Sequence, residues 1–227
     1  MNVPLNVKVV QVAFFLGSID LADRLKVAEI VRKSLGDILD GTPTILPVPD
    51  DAPLEIPRII LPSKDGKIIC NISANRFDFI YQIQEQSEGI GLSEAEKLLE
   101  GITPKLNEIL FTGLKATSYR LGLIINYSYS SKEGGLVLMK TNILGDENDV
   151  ANELQLHKML KGEINAIKVN NWTRLIAIEE QPLVIVSDVN TSQSERYEIN
   201  PKSSISFFEK AFEVSQKTVQ AMLAKKI

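Results

Sequence analysis

Two arginines and one acid on alternating strand positions are the side chains best placed to recognise a ligand. Arg76 and Asp78 lie in Arg76-Phe-Asp-Phe-Ile-Tyr-Gln82, and Arg120 lies in Tyr119-Arg-Leu-Gly-Leu-Ile-Ile-Asn-Tyr-Ser-Tyr129. Successive side chains of a strand point to opposite faces. Phe77, Phe79, Tyr81, Tyr119, Leu121 and Leu123 therefore share a core face, and Arg76, Asp78, Gln82, Arg120 and Asn126 share the other. Guanidinium groups bind carboxylates through paired hydrogen bonds. The set is expected to form a binding face for a carboxylate-bearing or acidic partner; the competing reading is solvated sheet positions or internal ion pairs.

Other chemistries fit less well. The one histidine, His157, rules out a two-histidine metal centre and stands at the border of an expected helix's apolar face. The one cysteine, Cys70, excludes an intramolecular disulfide and any zinc site needing two thiolates, and reads as a small buried hydrophobe. Asp188-Val-Asn-Thr-Ser192 imitates the start of a calcium loop, but Gln193 replaces the turn glycine and Ile199 the bidentate glutamate. Asp146-Glu-Asn-Asp149 reads as acids complementing a helix dipole. Gly89-Ile-Gly91 lacks a third glycine, and Glu94 and Glu96 would repel phosphate. Trp172 beside Arg174 reads as partial core at a strand start. No metal, cofactor or catalytic residue is expected.

A net charge of −4 with scattered Lys and Arg argues against a polyanion partner, since nucleic-acid binders neutralise roughly 6–10 phosphates with a dedicated basic surface. No run approaches the roughly 20 apolar residues of a membrane span. Val7–Gly17 reads as a strand leading into a helix, not as a signal peptide, and a cytoplasmic location is expected.

The elements that would position the arginines follow from periodicity. Helices are expected after Ser18 or Asp20, after the capping box Ser93-Glu-Ala-Glu96 with Pro104 kinking or shortening it, over about Asp149–Lys161, and after Asn200-Pro201. The last carries the stripe Phe208, Phe212, Ser215, Val219 and Met222. Strands are expected at the opening segment, in a hairpin turning at Ser63–Gly66, over Arg76–Ile83, over Tyr119–Tyr129 paired through Gly134-Gly135 with Leu136–Ile143, and near Ile164–Val169, Arg174–Glu179 and Leu183–Val189. Thr42–Pro57, with five prolines, reads as an extended connection. The sum is an α+β chain with antiparallel sheet and long amphipathic helices on one side. It forms a single unit over 1–227, with a strand-helix-strands-helix outline repeating at halves 1–114 and 115–227.

That outline is similar to saddle-shaped folds of the TATA-box-binding type, whose function the acidic balance does not support here. Arg58-Ile-Ile-Leu-Pro-Ser-Lys-Asp-Gly66, Tyr119–Tyr127, the Leu183–Asp188 strand and Ser206-Phe-Phe-Glu-Lys-Ala-Phe212 together resemble a sporadically distributed prokaryotic family of about this length, without an established activity. The resemblance implies a fold and no site residues. The expected function is a non-enzymatic binding or assembly protein acting through an open sheet face or by self-association. The alternative is a small-molecule binder or carboxylate-based enzyme with a pocket between sheet and helices.

Overall fold

The computed structural model describes residues 4–17, 19–49, 51–83, 87–130, 134–145 and 150–224. Its centre is set by two long strands that each bury an apolar face, β1 (Asn6–Leu16) and, later in the chain, Ser118–Tyr129. Val10, Val12, Phe14 and Leu16 of β1 are buried on one face, and a register shift between Val7 and Val9 brings Val7 onto that face too.

Helix α1 (Arg24–Leu35) follows, then β2 (Thr44–Ile45), β3 (Ile59–Pro62), β4 (Ile68–Ile72), β5 (Arg76–Gln82) and β6 (Ile90–Gly91). Helix α2 (Leu92–Asn107) runs on into a π-helical turn, Glu108–Gly113. The second half comprises β7 (Ser118–Tyr129), α3 (Gly135–Leu138) with a π-helical turn Met139–Leu144, β8 (Glu153–Ile164), β9 (Ile167–Ile178), β10 (Leu183–Thr191) and α4 (Pro201–Leu223).

The ten strands among the described residues join one antiparallel sheet in the order β2-β3-β4-β5-β1-β7-β10-β9-β8, with β6 beside β1. In each half the last long strand returns beside the first, β5 against β1 and β10 against β7, so β1 and β7 meet at the middle. The buried faces of α1, α2, α3 and α4 belong to one apolar core with the inward residues of the sheet. The fold is α+β, with helices on one side. Phe14 of β1 and Phe207 and Phe208 of α4 stack edge-to-face at 5.3 Å in that core. Tyr127 hydrogen-bonds Ser215 beneath α4 at 2.7 Å, and its burial pushes the phenol pKa up. Cys70 is fully buried, which pushes its thiol pKa up and leaves it unreactive.

Several local expectations are corrected. The segment expected as a helix over Asp149–Lys161 is β8: its apolar residues Leu154, Leu156, Leu160 and Ile164 alternate, and β9 supplies a ladder for them. The turn in that hairpin, Asn165-Ala166, falls inside the stretch expected as one strand, Ile164–Val169. Gly134-Gly135 opens α3, not a hairpin: β1 and β10 occupy both edges of β7, and the segment expected as its partner, Leu136–Ile143, is helical. Asp23 caps α1 through the Lys26 amide, and α2 starts after Gly91 without a side-chain cap and runs through Pro104. Ser18 and Asp146–Asp149 lie outside the described residues.

Candidate functional site

The sheet face away from the helices is the candidate site, and strand register decides what meets there. Phe15 of β1 pairs with Arg76 on one side and Arg120 on the other. One row further, Ala13 lies between Asp78 and Gly122, and Gly122 pairs with Asn190. The next row joins Ile80, Gln11, Ile124 and Asp188. Small residues at Ala13 and Gly122 lower the floor. The result is a depression of about 280 Å³, walled by Phe15, Arg76, Arg120, Asp188, Asn190 and Gln193.

The two guanidiniums differ in state. Both lie over the Phe15 ring, at 4.9 Å for Arg76 and 4.4 Å for Arg120, which holds them by cation–π attraction. Arg76 is neutralised: its Nη2 and Nε donate to Asp78 Oδ1 at 2.8 and 3.0 Å, and Gln11 donates to the same oxygen at 2.9 Å. Arg120 has no ion-pair partner among the described residues, and its buried Nε has no hydrogen-bond acceptor. Burial pulls its pKa down, opposed by Tyr119 and Asp188, yet a guanidinium stays charged in a protein. A buried, charged donor without an acceptor is what an incoming carboxylate would satisfy.

Asp188 lies in the same depression. Burial raises its pKa, while the Asn190 side chain (3.0 Å) and the two arginines act to lower it. Its pKa in the folded chain is above the unfolded value, so the folded state holds the proton more tightly. Stability therefore falls as pH rises through that window. Asp188→Asn keeps an acceptor for Asn190 and removes the charge. It is expected to raise the melting temperature at neutral pH and to flatten the acid-side pH dependence, read by melts from pH 4 to 8.

The five residues expected on one face do share it, but not one place. Gln82 and Asn126 flank Val9, six residues along the strands from the Arg76–Phe15–Arg120 row. At about 3.3 Å per residue that is about 20 Å away. Phe15, Asp188, Asn190 and Gln193 were not expected in the site. The oxygen side chains at 188 and 190, read as an imitation calcium loop, alternate because they lie on one face of β10. Trp172 is 47% exposed in mid-strand on this face, and His157 faces the same way on β8 opposite Arg174, not on a helix. Arg196 stacks on Tyr119 at 4.5 Å and, with Arg120 and Gln193, lines a separate, neighbouring hollow.

Among the described residues no group of three or more His, Cys, Asp or Glu side chains could hold a metal ion, and no helix is long and apolar enough to cross a membrane. No family model, curated protein or solved structure matches this chain.

Proposed function

We propose that this chain is a non-enzymatic binding or assembly protein that engages an acidic partner with its helix-free sheet face. The observation that carries the reading is Arg120: a guanidinium pre-positioned on Phe15, partly desolvated, with Nε lacking an acceptor. Around it the face offers apolar contact from Ile69, Ile80, Ile124 and Val186, which are half-buried, and from Trp172 and Met159, which are exposed. Such a mixture of arginine, aromatic and aliphatic surface suits a protein partner. The space between sheet and helices holds packed side chains such as Phe14, Tyr127 and Phe208, which favours the open face over a pocket there.

The likeness in layout to the prokaryotic family supports the fold and brings no residue roles. The shared connectivity of the two halves supports reading them as like units joined at β1 and β7. The acidic balance and the single, buried cysteine support a cytoplasmic location.

The test separates the two arginines. Arg76→Ala would strip Asp78, whose side chain is 12% exposed, of its charge partner, so lost stability would obscure any lost binding. Arg120→Gln removes a charge that makes no ion pair, and is expected to leave the melting temperature unchanged or slightly higher. A glutamate-rich peptide titrated into the protein should shift the Arg120 Nε–H resonance and weaken roughly tenfold or more with Arg120→Gln, the loss of one charge-assisted bond. An unperturbed resonance, or equal binding by the variant, would sink the proposal.

A further inference from the structure

The two edges of the sheet are finished differently. β3 is covered by the two-residue β2, with Leu46 donating to the Arg58 carbonyl beside it and prolines at 43 and 47 flanking it, which blunts that edge. The strand at the corresponding place in the second half is β8, twelve residues long, and among the described residues its only strand neighbour is β9. A long edge of unpaired backbone groups is a template for another strand.

Which groups are unpaired follows from the turn. The β8–β9 hairpin closes on Ile164 and Ile167 through Asn165 and Ala166, both left-handed at φ 50° and 65°. That is type I′ geometry, and it makes the closing pair hydrogen-bonded. Counting back by twos, Gly162, Leu160, Lys158, Leu156 and Leu154 bond to β9. The Glu179 amide donating to the Asn152 carbonyl at 3.1 Å keeps the same phase. Glu153, Gln155, His157, Met159 and Lys161 therefore direct their N–H and C=O groups outward, and their side chains lie on the open face.

We infer that β8 pairs antiparallel with β8 of a second copy of this chain, about a two-fold axis at His157, to extend the sheet through a homodimer. The register is chosen by complementarity. With His157 opposite itself, Glu153 faces Lys161 of the partner twice over, and Gln155 faces Met159. On the helix side Leu154 faces Leu160, which is 41% exposed in the single chain. Moving the axis by one residue, to Lys158, sets Glu153 against Glu163 and Lys158 against itself. The axis at His157 satisfies about ten backbone groups on each strand and leaves no like-charged pair directly opposite at 153 or 161. The same lysines would discourage indiscriminate edge pairing, since an unpartnered edge lysine opposes burial. The dimer is independent of the Arg120 depression, which lies toward the middle of the sheet.

The natural cysteine is buried, so an introduced one reports alone. In the full chain, His157→Cys should form a disulfide-linked dimer under mild oxidation, because a hydrogen-bonded antiparallel pair sets Cα atoms about 5.5 Å apart, within disulfide reach. Gln155→Cys mixed with Met159→Cys should cross-link as a heterodimer, and Val137→Cys, 40% exposed on α3, should not cross-link. Sedimentation gives the second arm. Lys161→Glu and Glu153→Lys should each weaken the dimer roughly tenfold, as two exposed ion pairs become two repulsions, and together restore it. A monomer at up to ~1 mM, a dimer indifferent to both charge changes, or cross-linking at 137 as efficient as at 157 would overturn the inference.

Discussion

Phe208→Ala is expected to destabilise the chain by about 3–5 kcal/mol, the range for removing a fully buried aromatic ring. The ring is 1% exposed and touches Phe14 and Phe207 edge-to-face, at 61° and 82°. It therefore ties the last helix to the central strand, and edge-to-face pairs add about 0.5–1.5 kcal/mol beyond their burial. Against a typical total of about 5–15 kcal/mol, this one change removes a large fraction of the stability. Relaxation cannot close the gap easily, since Phe14 is held in β1 between β5 and β7. Urea unfolding should show the midpoint falling sharply with a similar slope. An undiminished midpoint would mean that α4 is an appendage to the core and not part of it. Ending the chain before Ser203 is the harsher form of the same experiment and should leave no cooperative transition.

That helix was legible because its stripe is long and periodic: Phe208, Phe212, Ser215, Val219 and Met222 are all buried as their spacing requires, with the Asn200–Ser203 capping box ahead of them. β5 and β7 were legible from the alternation of their apolar and polar residues, and β1 and β10 as apolar runs of strand length. β8 was not. An edge strand buries little of either face, and the polar residues between Leu154, Leu156 and Leu160 fit a helical stripe as readily as a strand until β9 supplies a ladder.

The site shows a different limit. That Arg76 and Arg120 share a face follows from local alternation. That they share a ring does not. It depends on β1 seating Phe15 between them, through pairings of residues far apart in sequence. The same long-range register brings Asp188 and Asn190 to the depression and leaves Gln82 and Asn126 out of it. Local pattern assigns a face; only the ladder assigns a neighbour.

Two glycines with opposite surroundings give the sharpest check of the packing. Glycine inside a helix ordinarily costs about 1 kcal/mol relative to alanine. Gly101 in α2 meets that expectation, because a Cβ there would find nothing within 4 Å. Gly101→Ala should stabilise the chain by roughly 0.5–1 kcal/mol. Gly135 at the start of α3 is the reverse case. A Cβ there would stand 2.6, 2.8 and 3.0 Å from the Leu183 nitrogen, Cα and Cβ, atoms that cannot swing aside. Leu183 opens β10 and pairs with Tyr129, and the Gly135 amide donates to Gln181 at 3.1 Å, so the helix and strand are fixed against each other on both sides. Gly135→Ala should therefore destabilise by about 1–3 kcal/mol, the cost of overpacking, in spite of alanine's better helix propensity. Thermal melts of the two variants beside the parent decide it. Shifts of opposite sign place α3 hard against the start of β10, and a stabilising shift at both positions would show that this contact does not exist.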